Sequence, residues 1–330
     1  MIQDSYQRSA RKLRISLTDR CQMRCTYCMP SPPAGGFLAP DAWLSFSQIT
    51  TVAAVAEELG ITSLRLTGGE PLTRADVPQL VAMLRQRTTI PRIAMTTNGI
   101  LLPRYATDLA AAGLSDITIS LDTLHPNRMQ RLGGGDYLDS VLRGIDAACG
   151  AGFAALKINS VVIRGINDDE LHDLATFAWR MGAEPRFIEY MPMDEHWQRE
   201  LVLTADEIVQ RMQDNFGTIE ALYNPVGSTS MRYRLLATGS FFAVIPTLSH
   251  AFCGDCDRIR LTADGRVLGC LYSDNGPSVR DVLRANPTDT EGIARVLQLS
   301  YTQRGPGYMR QLLHSPDRLS HHAQMHVVGG

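Results

Sequence analysis

Six of the seven cysteines in this 330-residue chain fall into two triplets. Cys21, Cys25 and Cys28 are spaced C-x3-C-x2-C, and Cys253, Cys256 and Cys270 are spaced C-x2-C-x13-C. Three thiolates are one short of the four that close a zinc site or a cubane iron–sulfur cluster. A [4Fe–4S] cluster on three thiolates leaves one iron open to a small ligand, so two triplets predict chemistry on two bound molecules. The remaining Cys149 precedes Gly150 at a predicted helix end and reads as a small packing residue.

The elements that must hold these thiols follow from periodicity. Candidate strands run over Leu13–Thr18, Ser63–Thr67, Arg92–Thr97, Asp116–Leu121, Leu156–Val162 and Glu184–Glu189. Between them lie apolar patterns of helical period at Ile49–Leu59, Val77–Leu84, Ser140–Ala148 and Leu171–Met181. Six β/α units in series imply a parallel sheet, doubly wound or curled into a partial barrel. The strands alternate, although strands covered on both faces should be apolar throughout. Leu13, Ile15 and Leu17 oppose Arg14, Ser16 and Thr18; Leu64 and Leu66 oppose Arg65 and Thr67; Leu156 and Ile158 oppose Lys157 and Asn159. One face packs on helices. The other carries Arg14, Arg65 and Lys157, which predicts a wet, cationic lumen in an open barrel, suited to a polyanion such as a triphosphate. Only two lysines, Lys12 and Lys157, stand against 30 arginines, so Lys157 reads as a site that requires a compact ammonium.

After about Leu201 the pattern changes to a helix, Thr204–Asn215, and short strand-like runs at Met231–Leu236, Phe241–Ile245 and Arg258–Leu261. This predicts a partial barrel over 1–200 and a smaller α+β domain over 201–330 that carries the second triplet and packs across the open side of the barrel. The composition, 44% hydrophobic and 20% charged with net charge −2, is that of a globular protein without non-specific affinity for nucleic acid. The chain has no 18-residue apolar run, and MIQDSYQRSARK lacks the apolar core of a signal peptide, so no membrane partner and a cytoplasmic location are expected. There clustered thiols read as metal ligands before disulfides. Trp43, Trp179 and Trp197 read as packing residues, and His321, His322 and His326 as a solvated tail.

Tyr27 stands directly before Cys28, giving C-x3-C-x-aromatic-C after the first strand. Gly68-Gly69-Glu70-Pro71 follows the second strand, Ser120-Leu121-Asp122 ends the fourth, and Arg186-Phe187-Ile188-Glu189-Tyr190-Met191-Pro192 ends the sixth. In this order the motifs resemble the radical S-adenosylmethionine (SAM) enzymes, with each motif at a strand's C-terminal end, where β/α barrels place active sites. The resemblance implies that the open iron of the first cluster chelates SAM, which one electron cleaves to a 5′-deoxyadenosyl radical. It also implies that Tyr27, Gly69, Ser120 and Met191 line the SAM site, with Glu70 accepting from the SAM ammonium group. Asp19, Asn98 and Asp122 would help to shape it.

Phe252-Cys253-Gly254-Asp255-Cys256-Asp257-Arg258-Ile259-Arg260-Leu261-Thr262-Ala263-Asp264-Gly265, with Cys270 beyond, narrows the likeness. It resembles the radical SAM enzymes that cyclise GTP in the first step of molybdenum cofactor biosynthesis. Lys12–Ser16, Leu64–Pro71, Thr96–Gly99, Lys157–Asn159 and a terminal Gly329-Gly330 extend the resemblance over nearly the whole chain. It implies two [4Fe–4S] clusters and contacts to GTP from Arg14, Arg65, Thr96, Lys157, Arg258, Ile259 and Arg260, with the second cluster holding the purine. It further implies a homodimer, an external electron donor, a diglycine tail that enters the active site, and release of product to cyclic pyranopterin monophosphate synthase. A two-cluster radical SAM enzyme acting on a peptide would not need Arg14, Arg65 and Lys157 as phosphate ligands. An iron–sulfur electron carrier or a zinc-stabilised binding protein would need eight ligands rather than six, and no G-G-E-P loop.

Overall fold

The structure is a computed structural model that describes every residue except 30, 34, 194–196, 310–323 and 330. The six predicted β/α units are present. They comprise β1 (Lys12–Ser16), α1 (Phe46–Glu58), β2 (Ser63–Thr67), α2 (Val77–Arg87), β3 (Arg92–Thr97), α3 (Leu102–Ala111), β4 (Asp116–Ser120), α4 (Pro126–Gly133), α5 (Leu138–Gly150), β5 (Ala155–Val162), α6 (Leu171–Arg180) and β6 (Glu184–Glu189). The C-terminal part adds α7 (Ala205–Phe216), β7 (Ile219–Ala221), β8 (Met231–Leu235), β9 (Phe241–Ile245), β10 (Arg258–Leu261), β11 (Val267–Leu268), α8 (Val279–Ala285) and α9 (Thr290–Thr302). α3 and α4 are not among the helical patterns named above from periodicity. Both are short, and both carry proline in the first turn, where the missing N–H has no helical partner to lose.

The alternation of the strands decides which face is core. Leu13, Ile15, Leu64, Leu66, Ile117 and Ile119 are fully buried against the helices, each stabilising the fold by about 1.5–3 kcal/mol relative to exposure. Their alternates point into the barrel. Helix ends are fixed locally: Ser45 and Gln48 form a capping box on α1, and Thr204 and Glu207 form one on α7.

The C-terminal strands do not build a sheet of their own. All strands form one sheet in the order β11-β10-β1-β2-β3-β4-β5-β6-β9-β8-β7. The row from β10 through β1–β6 to β9 is parallel throughout, with β10 paired to β1 and β9 to β6. The predicted smaller domain thus extends both edges of the barrel. The reason is hydrogen bonding: β1 and β6 would otherwise present unpaired edges. The second cysteine triplet follows from this arrangement, since it flanks β10 and β11 at the β1 edge.

Two expectations for packing change. Cys149 is exposed at the end of α5, its Sγ 3.1 Å from the Met181 carbonyl, because it lies on the solvent side of the last turn. His326 is buried at 3% exposure and meets Phe37 edge-on at 6.4 Å. It is drawn in by a helical turn over Met325–Val328 whose Val328 packs beside Leu268. His321 and His322 lie outside the described residues. Trp179 and Trp197 donate to the Phe241 and Tyr190 carbonyls, and Trp43 packs under Arg20 and Arg74. Among the described residues no helix is long and apolar enough to cross a membrane.

Candidate active site

The first triplet sits in the loop after β1, held from two sides. The Gly69 and Glu70 amides donate to the Thr18 and Arg20 carbonyls at 2.8 and 2.7 Å. A methyl group on Gly68 or Gly69 would overlap those same carbonyls. The glycines of the G-G-E-P motif are therefore required by the chain's own cysteine loop, which no side chain could approach so closely. On the other side, the Arg24 and Thr26 amides donate to the Gly133 and Leu132 carbonyls at the end of α4. Tyr27 Oη donates to Asp122 Oδ2 at 2.5 Å, tying the loop to the end of β4. Glu70 is buried and accepts from Leu72 N, Thr97 Oγ1 and Asn98 N, while Asn98 Nδ2 donates to Cys21 Sγ at 3.7 Å. Burial raises the Glu70 carboxyl to about 7 against those three donors.

These residues open on a cavity of about 340 Å³ that reaches both cysteine triplets. Cys21, Cys25, Cys28, Tyr27, Gly69, Ser120 and Met191 line it, as do Arg14, Arg65, Thr96, Arg258, Arg260, Cys253, Cys256 and Cys270. Register explains the cations. Arg14 lies directly between Arg260 of β10 and Arg65 of β2, so three arginines stand abreast on parallel strands. Like charges placed side by side repel. Burial, then Arg260, Arg65 and Arg258, hold the Arg14 guanidinium well below its usual range. Burial, then Arg186 and Arg92, lower Arg65 to about 10, and burial, then Arg258, lowers Arg260 to about 10. Such a row is relieved by an anion carrying several charges. Arg65 also donates to Thr96 Oγ1 at 3.0 Å, so this threonine orients the guanidinium.

Two of the residues expected to contact GTP stand apart from the cavity. Ile259 points to the opposite face of β10 and is fully buried in the core, because the strand alternates and Arg258 and Arg260 take the lumen side. Lys157 lies level with Thr118 and Thr96 across β4 and β3. Its ammonium is held by Asp116 at 3.0 Å and does not line the cavity. The same carboxylate binds Arg92 at 2.7 Å. Arg186 lines the cavity and is paired with Glu184 at 2.8 Å. It was not singled out from the sequence, although the period-2 alternation that selected Arg14 and Arg65 also applies to β6.

The tail enters the site. The Gly329 carbonyl accepts from Arg14 Nε at 3.2 Å and from Arg260 Nη1, and a methyl group on Gly329 would overlap Thr67 and Ser16. Gly330 lies outside the described residues.

The first donor set fits an iron–sulfur cluster. All six cysteines are unlinked thiols at the cavity wall. Burial, then Cys21 and Asp122, push the Cys28 thiol up to about 12, and burial, then Cys28, raises Cys25. Three such thiolates coexist only around a strongly cationic group, and the irons of a cluster provide one.

A parallel β/α barrel with a cysteine triplet after its first strand defines the class. The Radical SAM superfamily pattern matches residues 15–178, and the Molybdenum Cofactor Synthesis C pattern matches residues 183–309. In fold the chain is similar to the crystal structure of Streptococcus suis SuiB bound to precursor peptide SuiA, with a TM-score of 0.67 and 13% identity over 97% of this chain and 76% of that one. In sequence it is 44% identical to a GTP 3′,8-cyclase of Acidothermus cellulolyticus over 92% of this chain and 85% of the relative. It is 37% identical to GTP 3′,8-cyclase 1 of Mycobacterium tuberculosis over 100% and 95%. With the GTP 3′,8-cyclase of Streptomyces coelicolor the identity is 39% over 99% and 96%. The chain belongs to the GTP 3′,8-cyclase family of the radical SAM superfamily.

Proposed function

We propose that this enzyme converts GTP to (8S)-3′,8-cyclo-7,8-dihydroguanosine 5′-triphosphate, the first step of molybdenum cofactor biosynthesis, in the single cavity that joins the two triplets. The observation that carries the residue-level reading is the row Arg260–Arg14–Arg65 between them. Cys21, Cys25 and Cys28 would hold the cluster that binds SAM, with Tyr27, Gly69, Ser120 and Met191 around the cosubstrate. Cys253, Cys256 and Cys270 would hold a second [4Fe–4S] cluster at the purine. When bound, the first cluster supplies the electron that cleaves SAM and starts hydrogen abstraction from ribose C3′ of GTP.

The chain's own contribution is position and exclusion. Arg14, Arg65, Arg186 and Arg260, with Thr96 orienting Arg65, take the triphosphate, and Arg258 turns toward the second triplet. Lys157 joins them by exchanging Asp116 for a phosphate oxygen. Ile259 serves only to seat its strand. Fixing both ends of GTP brings C3′ and guanine C8 to one geometry, which an intramolecular bond formation needs. Met129, Leu132, Ile188 and Ile245 line the cavity and would keep water from the reacting carbon. An external electron donor, a homodimer, a cytoplasmic location and hand-over of product to the next enzyme belong to the same reading. The test is iron and sulfide analysis of anaerobically prepared protein beside product formation from GTP and SAM. Near eight irons per chain with GTP-dependent cyclised product supports the reading; four irons, or SAM cleavage without cyclised product, overturns it.

A further inference from the structure

A second cavity, of about 180 Å³, lies against the second triplet and is lined by all three of its cysteines together with Arg8, Arg304, Tyr272 and Tyr308. Since the same cysteines line the main cavity, they form the wall between the two. Tyr272 and Tyr308 are stacked, with ring centroids 4.2 Å apart and planes at 14°. Both hydroxyls are buried, and neither has a hydrogen-bond partner among the described residues. A buried hydroxyl left unpaired is costly, and buried tyrosines normally find an acceptor.

Five carbonyls around this cavity are already engaged. Arg8 donates to the carbonyls of Cys253, Gly305 and Pro306 at 2.8, 2.7 and 3.2 Å. Tyr301 Oη takes the Cys256 carbonyl at 3.0 Å, and Arg304 donates to the Arg258 carbonyl at 3.5 Å. The sulfurs of all three cysteines also stand at this wall. The geometry also brings Tyr308 there by design of the turn: Gly307 has φ +125°, and a methyl group on it would overlap the Cys253 side chain, so only glycine lets this turn close on the triplet. Arg8, itself fixed by Asp4 at 2.6 Å, clamps the turn at residues 305 and 306.

We propose that Tyr272 and Tyr308 donate hydrogen bonds to the sulfur shell of the second cluster, and thereby raise its reduction potential. The inference rests on the reading that this triplet holds a cluster. Hydrogen bonds to sulfur stabilise the reduced, more negative state, and they are one of the levers that set cluster potentials. Both tyrosines are positioning and tuning groups: Tyr308 lines the second cavity alone, and Tyr272 stands where the two cavities meet.

The experiment uses the full chain carrying Cys21→Ser, so that only the second cluster reports. Its midpoint potential is measured by EPR-monitored titration, and exchangeable protons coupled to it are read by ENDOR after transfer to deuterium oxide. With Tyr272→Phe, Tyr308→Phe or both added, the iron content should hold. The midpoint should move negative, most in the double variant, and exchangeable-proton couplings should be lost. An unchanged midpoint with unchanged couplings in the loaded double variant overturns the proposal. Should the double variant lose its iron, the single variants and the couplings of the tyrosine-containing protein decide in the same way. Absence of iron from the Cys21→Ser protein itself would instead overturn the reading that the second triplet holds a cluster.

Discussion

At Lys157 a sequence argument and a structural one meet on one ammonium. Burial, then Arg186, lowers it to about 8, although Asp116 pulls it the other way. A triphosphate would raise it again. GTP binding should therefore take up a proton above about pH 8, and affinity should fall as pH rises through that value. Calorimetry at pH 8.5 in two buffers of different ionisation enthalpy reads the proton directly. Lys157→Arg should abolish the uptake and, because a planar fork cannot take the place of a compact ammonium beside Asp116, should also weaken binding. Equal proton uptake in wild type and variant would contradict this. For the thiols, Cys21→Ser should abolish deoxyadenosine formation while the second triplet keeps its iron, since hydroxyls do not replace thiolates around iron. Arg14 and Arg65 were legible because alternation alone puts them in the lumen. The pairing of Lys157 with Asp116 was not, because it depends on the register of β4 against β5. The Ile259 side chain lies in the core because a motif quoted as a run of residues includes both faces of a strand.

Among the elements, β2 to β6 matched the sequence pattern within a residue, because each alternates a mostly apolar face with a polar one. The neighbours of β9 and β10 were not legible. Lys12 pairs with Arg258 across most of the chain, and nothing local records that. The loop carrying the first triplet depends on such contacts, from the G-G-E-P turn and from α4. Gly69→Ala sets a methyl group against the Arg20 carbonyl, which is backbone and cannot swing aside. We expect a loss of about 1–3 kcal/mol in stability, as for overpacking elsewhere, and a larger loss in SAM cleavage, because the displaced atoms carry Cys21. Thermal unfolding and deoxyadenosine assays side by side check it. Lowered stability with normal SAM cleavage would show that the loop tolerates the shift.

On the scale of the whole molecule, the two ends of the chain close the site. β10 and β11 bring the second triplet to the β1 edge, and the C-terminal turn carries Gly329 to Arg14 and Arg260. Truncation after Val328 should leave the iron content and the fold intact and lower the yield of cyclised product, since two arginines lose a carbonyl that fixes their direction. Unchanged yield would return the tail to a passive role, and loss of iron would show it to be structural. The central claim is that one cavity brings the SAM end and the GTP end together at ribose C3′. It is tested most directly by incubating the reconstituted enzyme with SAM, a reductant and GTP deuterated at C3′, then analysing 5′-deoxyadenosine by mass spectrometry. The account predicts one deuterium per deoxyadenosine, formed in step with cyclised product. Deoxyadenosine without deuterium, formed at the same rate whether or not GTP is present, would contradict it.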